Sequence, residues 1–200
     1  MGEELEADYY NGKFSSHWKY QGSVYESPHF DVWKEYPRFI GQVRPKVIID
    51  LGCGPGYLAE LIRDKVKFDY KYIGYDFSKI AIKKATERLK DWRFKFKVRD
   101  LRTFDFVPKN KEVSEVLYIA CEYLEHISDD IGTIKRMPEK APLVFSVPDK
   151  NNNPSHVRFF KTGVEVSDRY LGVVDIVELY KTKRGRYVVF GFKRNGLNGL

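Results

Sequence analysis

The sequence predicts a doubly wound α/β sheet, mostly parallel and closed by an antiparallel hairpin, with helices on both faces. Three observations carry that reading. Between residues 46 and 148, short apolar runs of strand type alternate with amphipathic stretches of helical period, which is how a parallel sheet with crossover helices is written. The later run "VVDIVELYKTKRGRYVVFGFKR" holds two strand patterns joined at a Lys-Arg-Gly turn, the signature of a hairpin. The first strand also runs straight into a turn with glycines at alternate positions, Gly52, Gly54 and Gly56, before a helix opens.

Each element follows from its own pattern. "KVIID" is a buried strand, and "GYLAELIRDKV" a helix with Leu58, Leu61 and Ile62 on one face. "YKYIGYD" is a second strand. "SKIAIKKATERLKDW" is a helix that Ser78 can cap. "FKFKVRDL" alternates apolar and basic residues, as a strand at or near a sheet edge does. "EVLYIA" is a fourth strand, "DDIGTIKRM" a helix ending before Pro138, and "PLVFSVP" a fifth strand. "VRFFKTGVEVSDRYL" holds a helix, which an interior Gly163 would weaken by roughly 1 kcal/mol relative to alanine. Ahead of all this, residues 1–40 are crowded with Tyr9, Tyr10, Phe14, Trp18, Tyr20, Tyr25, Phe30, Trp33, Tyr36 and Phe39. "HFDVWKEYPRFI" reads there as a helix broken near Pro37. The aromatic segment is either an added core layer or a lid.

Composition narrows the class. The chain has 200 residues, 42% of them hydrophobic and 32% charged, which suits one globular domain with a sizeable core. No apolar run approaches the roughly 20 residues that span a bilayer. "MGEELEADYY" lacks the basic and apolar regions of a secretory signal, and Glu6 stands where a myristoylation signal needs Ser or Thr. Two cysteines, Cys53 and Cys121, make no disulfide scaffold and no CxxC, so a cytoplasmic location is expected. The net charge of +7 permits an acidic partner such as RNA but is as readily a solvated surface.

The glycine turn carries the chemistry. Gly52-x-Gly54-x-Gly56 differs from the dinucleotide fingerprint, in which the third glycine falls where Tyr57 stands. Asp50, just before the turn, suits a ligand with an ammonium group better than a pyrophosphate. Asp76 ends the second strand, 20 residues after Gly56, where a carboxylate can accept from ribose hydroxyls. Asp100 ends the third strand beside Leu101, a pair able to read an adenine amino group and pack its ring. Three acids thus fall at the carboxyl ends of three successive strands, where open α/β sheets bind ligands.

"VIIDLGCGPGYLAEL", with "YIGYD" and "VRDL" after it, resembles the class I S-adenosylmethionine-dependent methyltransferases over roughly residues 45–195. The resemblance implies a Rossmann-like, seven-stranded sheet and S-adenosylmethionine as cofactor. It implies that Asp50, Gly52, Cys53 and Gly54 line the methionine end. Asp76 and Phe77 would face the ribose, Asp100 and Leu101 the adenine, and Cys121 would complete the pocket at the end of the fourth strand. The domain would run from 41 to 195, with residues 1–40 in the same domain and 196–200 a tail. "CEYLEH" is similar to the E-x-L-E-H of small-molecule members and marks Glu122 and His126 beside the methyl-donating end. "SVPDKNNNPSHVRFF" resembles a run of small members in which His156 and Arg158 would overhang the acceptor, Asp149 standing where Asn is common. His156 is then the candidate general base, its unperturbed pKa lying near neutrality.

In-line methyl transfer draws much of its rate from positioning, and aromatics near the sulfonium assist by cation–π attraction; Tyr9, Tyr10, Trp18 and Tyr57 are candidates. The resulting expectation is transfer to a small-molecule acceptor, with no metal assigned. A second reading is a metal-assisted RNA 2′-O-methyltransferase, because Glu122, Glu125 and His126 with His156 resemble the E-x-x-E-H…H set of small-RNA 3′-end methyltransferases. A third is a cofactor-binding, non-catalytic partner protein. "ACEY" after the fourth strand disfavours the Gln/Asn and adenine-N6 subclasses, which carry N/D-P-P-Y/F there.

Overall fold

The computed structural model describes residues 2–17, 22–108, 112–151 and 153–195. Trp18, Tyr20 and the 196–200 tail, singled out in the sequence, lie outside the described residues. Seven strands form one sheet: β1 (Val47–Leu51), β2 (Lys71–Asp76), β3 (Phe94–Val98), β4 (Val116–Ala120), β5 (Pro142–Pro148), β6 (Val174–Lys181) and β7 (Arg186–Lys193). Their order is β3-β2-β1-β4-β5-β7-β6. β1 to β5 run parallel, and β7 pairs antiparallel with both β5 and β6. The lysine-bearing β3 is an edge strand, as its alternation predicts. The order reverses at β1, so the carboxyl ends of β1 and β4 open a crevice between them.

Helices α1 (Ala7–Ser16), α2 (Phe30–Trp33), α3 (Tyr36–Val43), α4 (Tyr57–Lys65), α5 (Lys79–Arg88), α6 (Asp130–Lys135) and α7 (Gly163–Tyr170) cover the sheet. Alternate strand residues face opposite cores. Ile48, Tyr72, Leu117 and Ile119 pack with Phe39, Ile40, Leu61 and Ile62 of α3 and α4. Val47, Ile49, Tyr118 and Phe145 pack with Ile134, Val166 and Tyr170 of α6 and α7. Among the described residues, no helix is long and apolar enough to cross a membrane.

The helix break expected near Pro37 falls at Lys34–Glu35, between α2 and α3, and Pro37 sits in the first turn of α3, where a residue has no intrahelical N–H bond to lose. One detail differs from the sequence reading. Gly163 is the first residue of α7, behind a Thr162 cap, so the interior-glycine penalty does not apply. The aromatic segment itself divides. Trp33, Tyr36 and Phe39 join the core, whereas Tyr10 and Phe14 of α1 pack on α5 against Ala81, Phe77 and Ile80. Phe39 is fully buried and stacks on Phe190 at 4.9 Å between ring centres. Phe39→Ala is therefore expected to cost about 3–5 kcal/mol, read as a lower midpoint in chemical denaturation; an unchanged midpoint would mean that α3 is not part of the folding core.

Candidate active site

The glycine turn leaves β1 at Leu51 and reaches α4 through three left-handed glycines, Gly52 (φ 74°), Gly54 (φ 52°) and Gly56 (φ 82°). Side chains at two of these positions would meet different obstacles. A Cβ on Gly52 would lie 2.5 Å from the Tyr123 ring, while one on Gly54 would meet nothing nearer than Phe14 at 3.8 Å. The Gly54 side of the turn thus faces open space beneath α1, and its backbone requires glycine-like freedom.

Asp76 holds the turn in place. The Gly54 N–H donates to one of its oxygens at 2.9 Å and the Ser78 N–H to the other at 2.8 Å. Burial raises the Asp76 carboxyl to about 6, against the pull of the Ser78, Gly54 and Phe77 N–H groups. Asp50 is buried more deeply and accepts from the Tyr72 hydroxyl. Burial raises it to about 7, the Tyr72 bond working against that and the Asp76 charge with it.

A cleft of about 1020 Å³ lies along this end of the sheet. Asp76, Phe77, Asp100 and Leu101 form one end, Glu122, His126 and His156 the other, and Tyr9, Tyr10, Lys13 and Phe14 of α1 the roof. A recess of about 90 Å³ adjoins it through Phe14, His29, Gly52 and Glu122, and reaches Asp50, Cys53, Gly54 and Cys121. Glu122, His126 and His156 and the candidate cofactor-binding residues expected from the sequence therefore border one of these two adjoining spaces. Asp100 does so while held by Arg102, whose Nε and Nη2 donate to its two oxygens at 3.0 and 2.7 Å. That guanidinium holds the Asp100 carboxyl below the usual range.

The far end is polar and enclosed. Glu122 follows β4 with φ 55°, a left-handed conformation uncommon outside glycine. Its N–H donates to Ser146 Oγ at 3.0 Å, and its carboxylate accepts from Arg186 Nε at 2.5 Å and lies 3.6 Å from His29 Nδ1. Burial alone would raise its pKa, but Arg186 and His29 outweigh it and hold the carboxyl well below the usual range. Glu125 and His126 lie on a single 3-10 turn, Leu124–His126. Burial and His156 push His126 down to about 3, and burial pushes His156 down to about 4. Both rings are neutral at physiological pH.

Several expectations need correction. Arg158 does not overhang the cleft: it turns behind the Leu124–His126 turn and donates to the carbonyls of Leu124, Ile127 (2.5 Å) and Ser128 (2.8 Å), gripping that segment from the back. Asp149 pairs with Lys181 at 2.7 Å and accompanies the β6–β7 turn. Tyr57 is buried, stacked on Trp33 at 5.4 Å and covered by the Arg88 guanidinium, and it also borders the recess, while Tyr9 and Tyr10 border the cleft. The sequence reading missed His29, Lys13, Arg102 and Arg186. Arg186 arrives from the hairpin 64 residues after its partner, a pairing no local pattern announces.

Strand order, glycine turn and strand-end acids together define a Rossmann-like protein whose cleft opens at the sheet's switch point. Residues 44–141 match the family model described as a methyltransferase domain. A trans-aconitate 2-methyltransferase of Rhodopseudomonas palustris is 31% identical over 119 residues, which are 58% of this chain and 43% of that protein. The match thus spans less than half the length of that curated relative. Among solved structures, a chain from the complex between the Haloferax volcanii Trm112 methyltransferase activator and a methyltransferase superposes with a TM-score of 0.74 at 12% identity, covering 96% of this chain and 100% of that one. The magnesium protoporphyrin IX methyltransferase of Synechocystis PCC 6803 with bound SAH gives 0.68 at 14% identity, over 94% and 97%. The chain carries a methyltransferase domain over residues 44–141, and S-adenosylmethionine is its cofactor.

The residues present fit that cofactor. Gly54 leaves space beside the turn, Asp76 offers acceptors at the cleft wall, and Asp50 puts a carboxylate beside the recess where an ammonium would sit. Gly54→Val is expected to keep the far-ultraviolet circular dichroism of the native chain and to lower affinity for S-adenosylhomocysteine more than tenfold by calorimetry. Retained affinity would remove the turn from the cradle.

Proposed function

We propose that the chain transfers a methyl group from S-adenosylmethionine to a small-molecule acceptor seated at the Glu122–His126–His156 end of the cleft. The supporting observation is the cleft itself: a single space of about 1020 Å³, wide enough for a nucleoside cofactor and one small partner, with recognition acids at one end and neutral imidazoles at the other. When bound, the cofactor supplies an activated methyl on a sulfonium. The protein's part is to orient and to exclude water. Asp76 would hold the ribose through the oxygens that also fix the glycine turn, Asp100 with Leu101 would meet the adenine, and Asp50 would favour the ammonium. Glu122, locked to Arg186, shapes the wall. His156 is the group able to take a proton from an acceptor that must lose one. The small acceptor agrees with the curated relatives, whose names describe action on a small carboxylic acid.

Residues 2–16 act in this reading as a lid. The Gly2 N–H donates to the His156 carbonyl at 2.9 Å and the Glu3 N–H to the Pro154 carbonyl at 3.1 Å. Glu4 accepts from the Ser128 N–H at 2.7 Å, and Glu6 takes a two-pronged bond from Arg102 at 2.8 and 2.9 Å. Asn11 accepts from Ser78 Oγ at 2.7 Å, tying α1 to the cap of α5. Arg102→Ala is expected to speed release of S-adenosylhomocysteine several-fold in stopped-flow displacement with unchanged thermal stability. An unchanged rate would mean that the clasp does not gate the cleft.

Cofactor binding should also follow the Asp76 and Asp50 titrations. The bound cation favours ionised carboxylates, so binding releases protons as pH falls through the 7 to 6 window. Affinity is expected to be level above pH 7.5 and to fall below pH 6, by up to about tenfold per unit for one proton. Asp76→Asn should weaken binding more than tenfold and leave a shallower acid limb set by Asp50 alone. A parallel acid limb in that variant would take Asp76 out of the role.

A further inference from the structure

Glu125 is fully buried, and among the described residues neither of its carboxylate oxygens has a hydrogen-bond partner. His156, buried beside it, has an Nδ1 in the same condition. Buried polar groups are satisfied almost without exception, and a bare carboxylate is among the costliest to leave alone. The third member is His126. Its Nδ1 lies 2.9 Å from the Ser155 carbonyl, which can only accept, so the proton is on Nδ1 and the lone pair on Nε2. One ligating atom from each of Glu125, His126 and His156 lies within 4.8 Å of the other two.

We propose that Glu125, His126 and His156 form a binding site for a divalent first-row metal ion at the acceptor end of the cleft. One carboxylate and two imidazoles are a donor set for Mn²⁺, Co²⁺ or Zn²⁺ rather than for an oxygen-only ion. An imidazole that gives its other N–H to a backbone carbonyl is oriented as metal-bound histidines are. Ligands about 2.0–2.2 Å from one ion stand roughly 3–3.5 Å apart, so side-chain rotation within the cluster closes the site. The frame around it is fixed: Arg158 grips the turn that carries Glu125 and His126, and the Val157 N–H donates to the Glu125 carbonyl at 2.9 Å, holding the two ligand segments together.

Glu122 is not a ligand. Its oxygens face Arg186 and His29, and it offsets the Arg186 charge that would otherwise oppose a cation. His126 and His156 border the cleft, which leaves the ion an open side toward the acceptor. Resting on the transferase reading above, the ion would bind an oxygen of the acceptor and orient it toward the methyl group, so the acceptor class is an oxygen donor, a carboxylate or a hydroxyl. With the ion in place, both imidazole lone pairs are engaged, and a hydroxyl proton would leave to solvent water from an oxygen made more acidic by the metal.

The test is a titration of chelator-treated full-length protein with Mn²⁺, Co²⁺ and Zn²⁺, by calorimetry and, for Co²⁺, by visible absorption. S-adenosylhomocysteine binding is measured on the same samples. The expected result is one ion per chain at micromolar affinity or better. Glu125→Gln and His156→Ala should each weaken it at least tenfold, with S-adenosylhomocysteine bound by both variants. Protein that binds S-adenosylhomocysteine but none of the ions overturns the site. So does metal affinity untouched by Glu125→Gln. Metal bound without S-adenosylhomocysteine would sustain the site and sink the transferase reading instead.

Discussion

The Asp76 carboxylate is the constraint on which this end of the molecule depends. One oxygen takes the N–H of Gly54 and the other that of Ser78, so a single side chain at the end of β2 fixes the turn after β1 and the start of α5. Ser78 extends the chain of dependence. Its hydroxyl accepts from the Ala81 N–H, capping α5, and donates to Asn11, so α1 takes its position from the same cap. Turn, strand end, helix cap and cleft roof therefore share one electrostatic anchor. In the proposed function the same two oxygens would also meet the ribose, so a structural anchor would double as a recognition group. Burial keeps its pKa near 6, so the anchor is mostly ionised at neutral pH and its charge remains available to a cationic ligand.

The opposite end is organised by a different balance. Glu122 is held in a left-handed conformation by its N–H bond to Ser146 and by Arg186, two groups from the neighbouring strands β5 and β7. With Glu122 directed at Arg186, Glu125 is left without a positive partner of its own, and burial together with the Glu122 charge pushes its pKa far up. The two glutamates of one short motif consequently have opposite electrostatic fates. Glu122 is paired and ionised, while Glu125 is buried and awaits either a proton or a cation. Burial, assisted by the Arg186 and Lys13 charges and opposed by Glu122, lowers the affinity of His156 for protons, so a lone pair persists there at neutral pH.

Much of this was legible in the sequence, for reasons that are local. Strand and helix periods along 46–148, the glycines at alternate positions and the acid closing each of the first strands are all written within a few residues of where they act, and alternating strands and helices imply the parallel sheet. The long-range partners were not legible. Arg102 reaching Glu6 and Arg186 reaching Glu122 are pairings across 96 and 64 residues, and arginines in a basic chain carry no mark of which one turns inward. Arg158 shows the converse. Its place in a family-like run put it over the acceptor, yet three carbonyls of one loop offered a guanidinium a better home than the cleft. The N-terminal aromatics could not be sorted by composition, because an aromatic that pads a core and one that lines a cleft have the same chemistry. Only the backbone decides that Phe39 goes in and Tyr9 stays at the surface.

Arg102 joins the two themes. Its guanidinium is shared between Asp100, which the adenine would need, and Glu6 and Glu4 of the N-terminal strap. Asp100 is thus presented to the cleft as part of a charge-balanced cluster, and an incoming adenine amino group competes only with an arginine that has two other carboxylates to bind. These pairs are at least partly exposed, so each is individually weak and screened by salt. In the proposed function, weak, multiple and solvent-facing bonds suit a clasp that would open for cofactor and product exchange, whereas the buried Asp76 anchor suits a part that stays in place. The strong, desolvated contacts would then lie beneath the cofactor and the weak, replaceable ones above it.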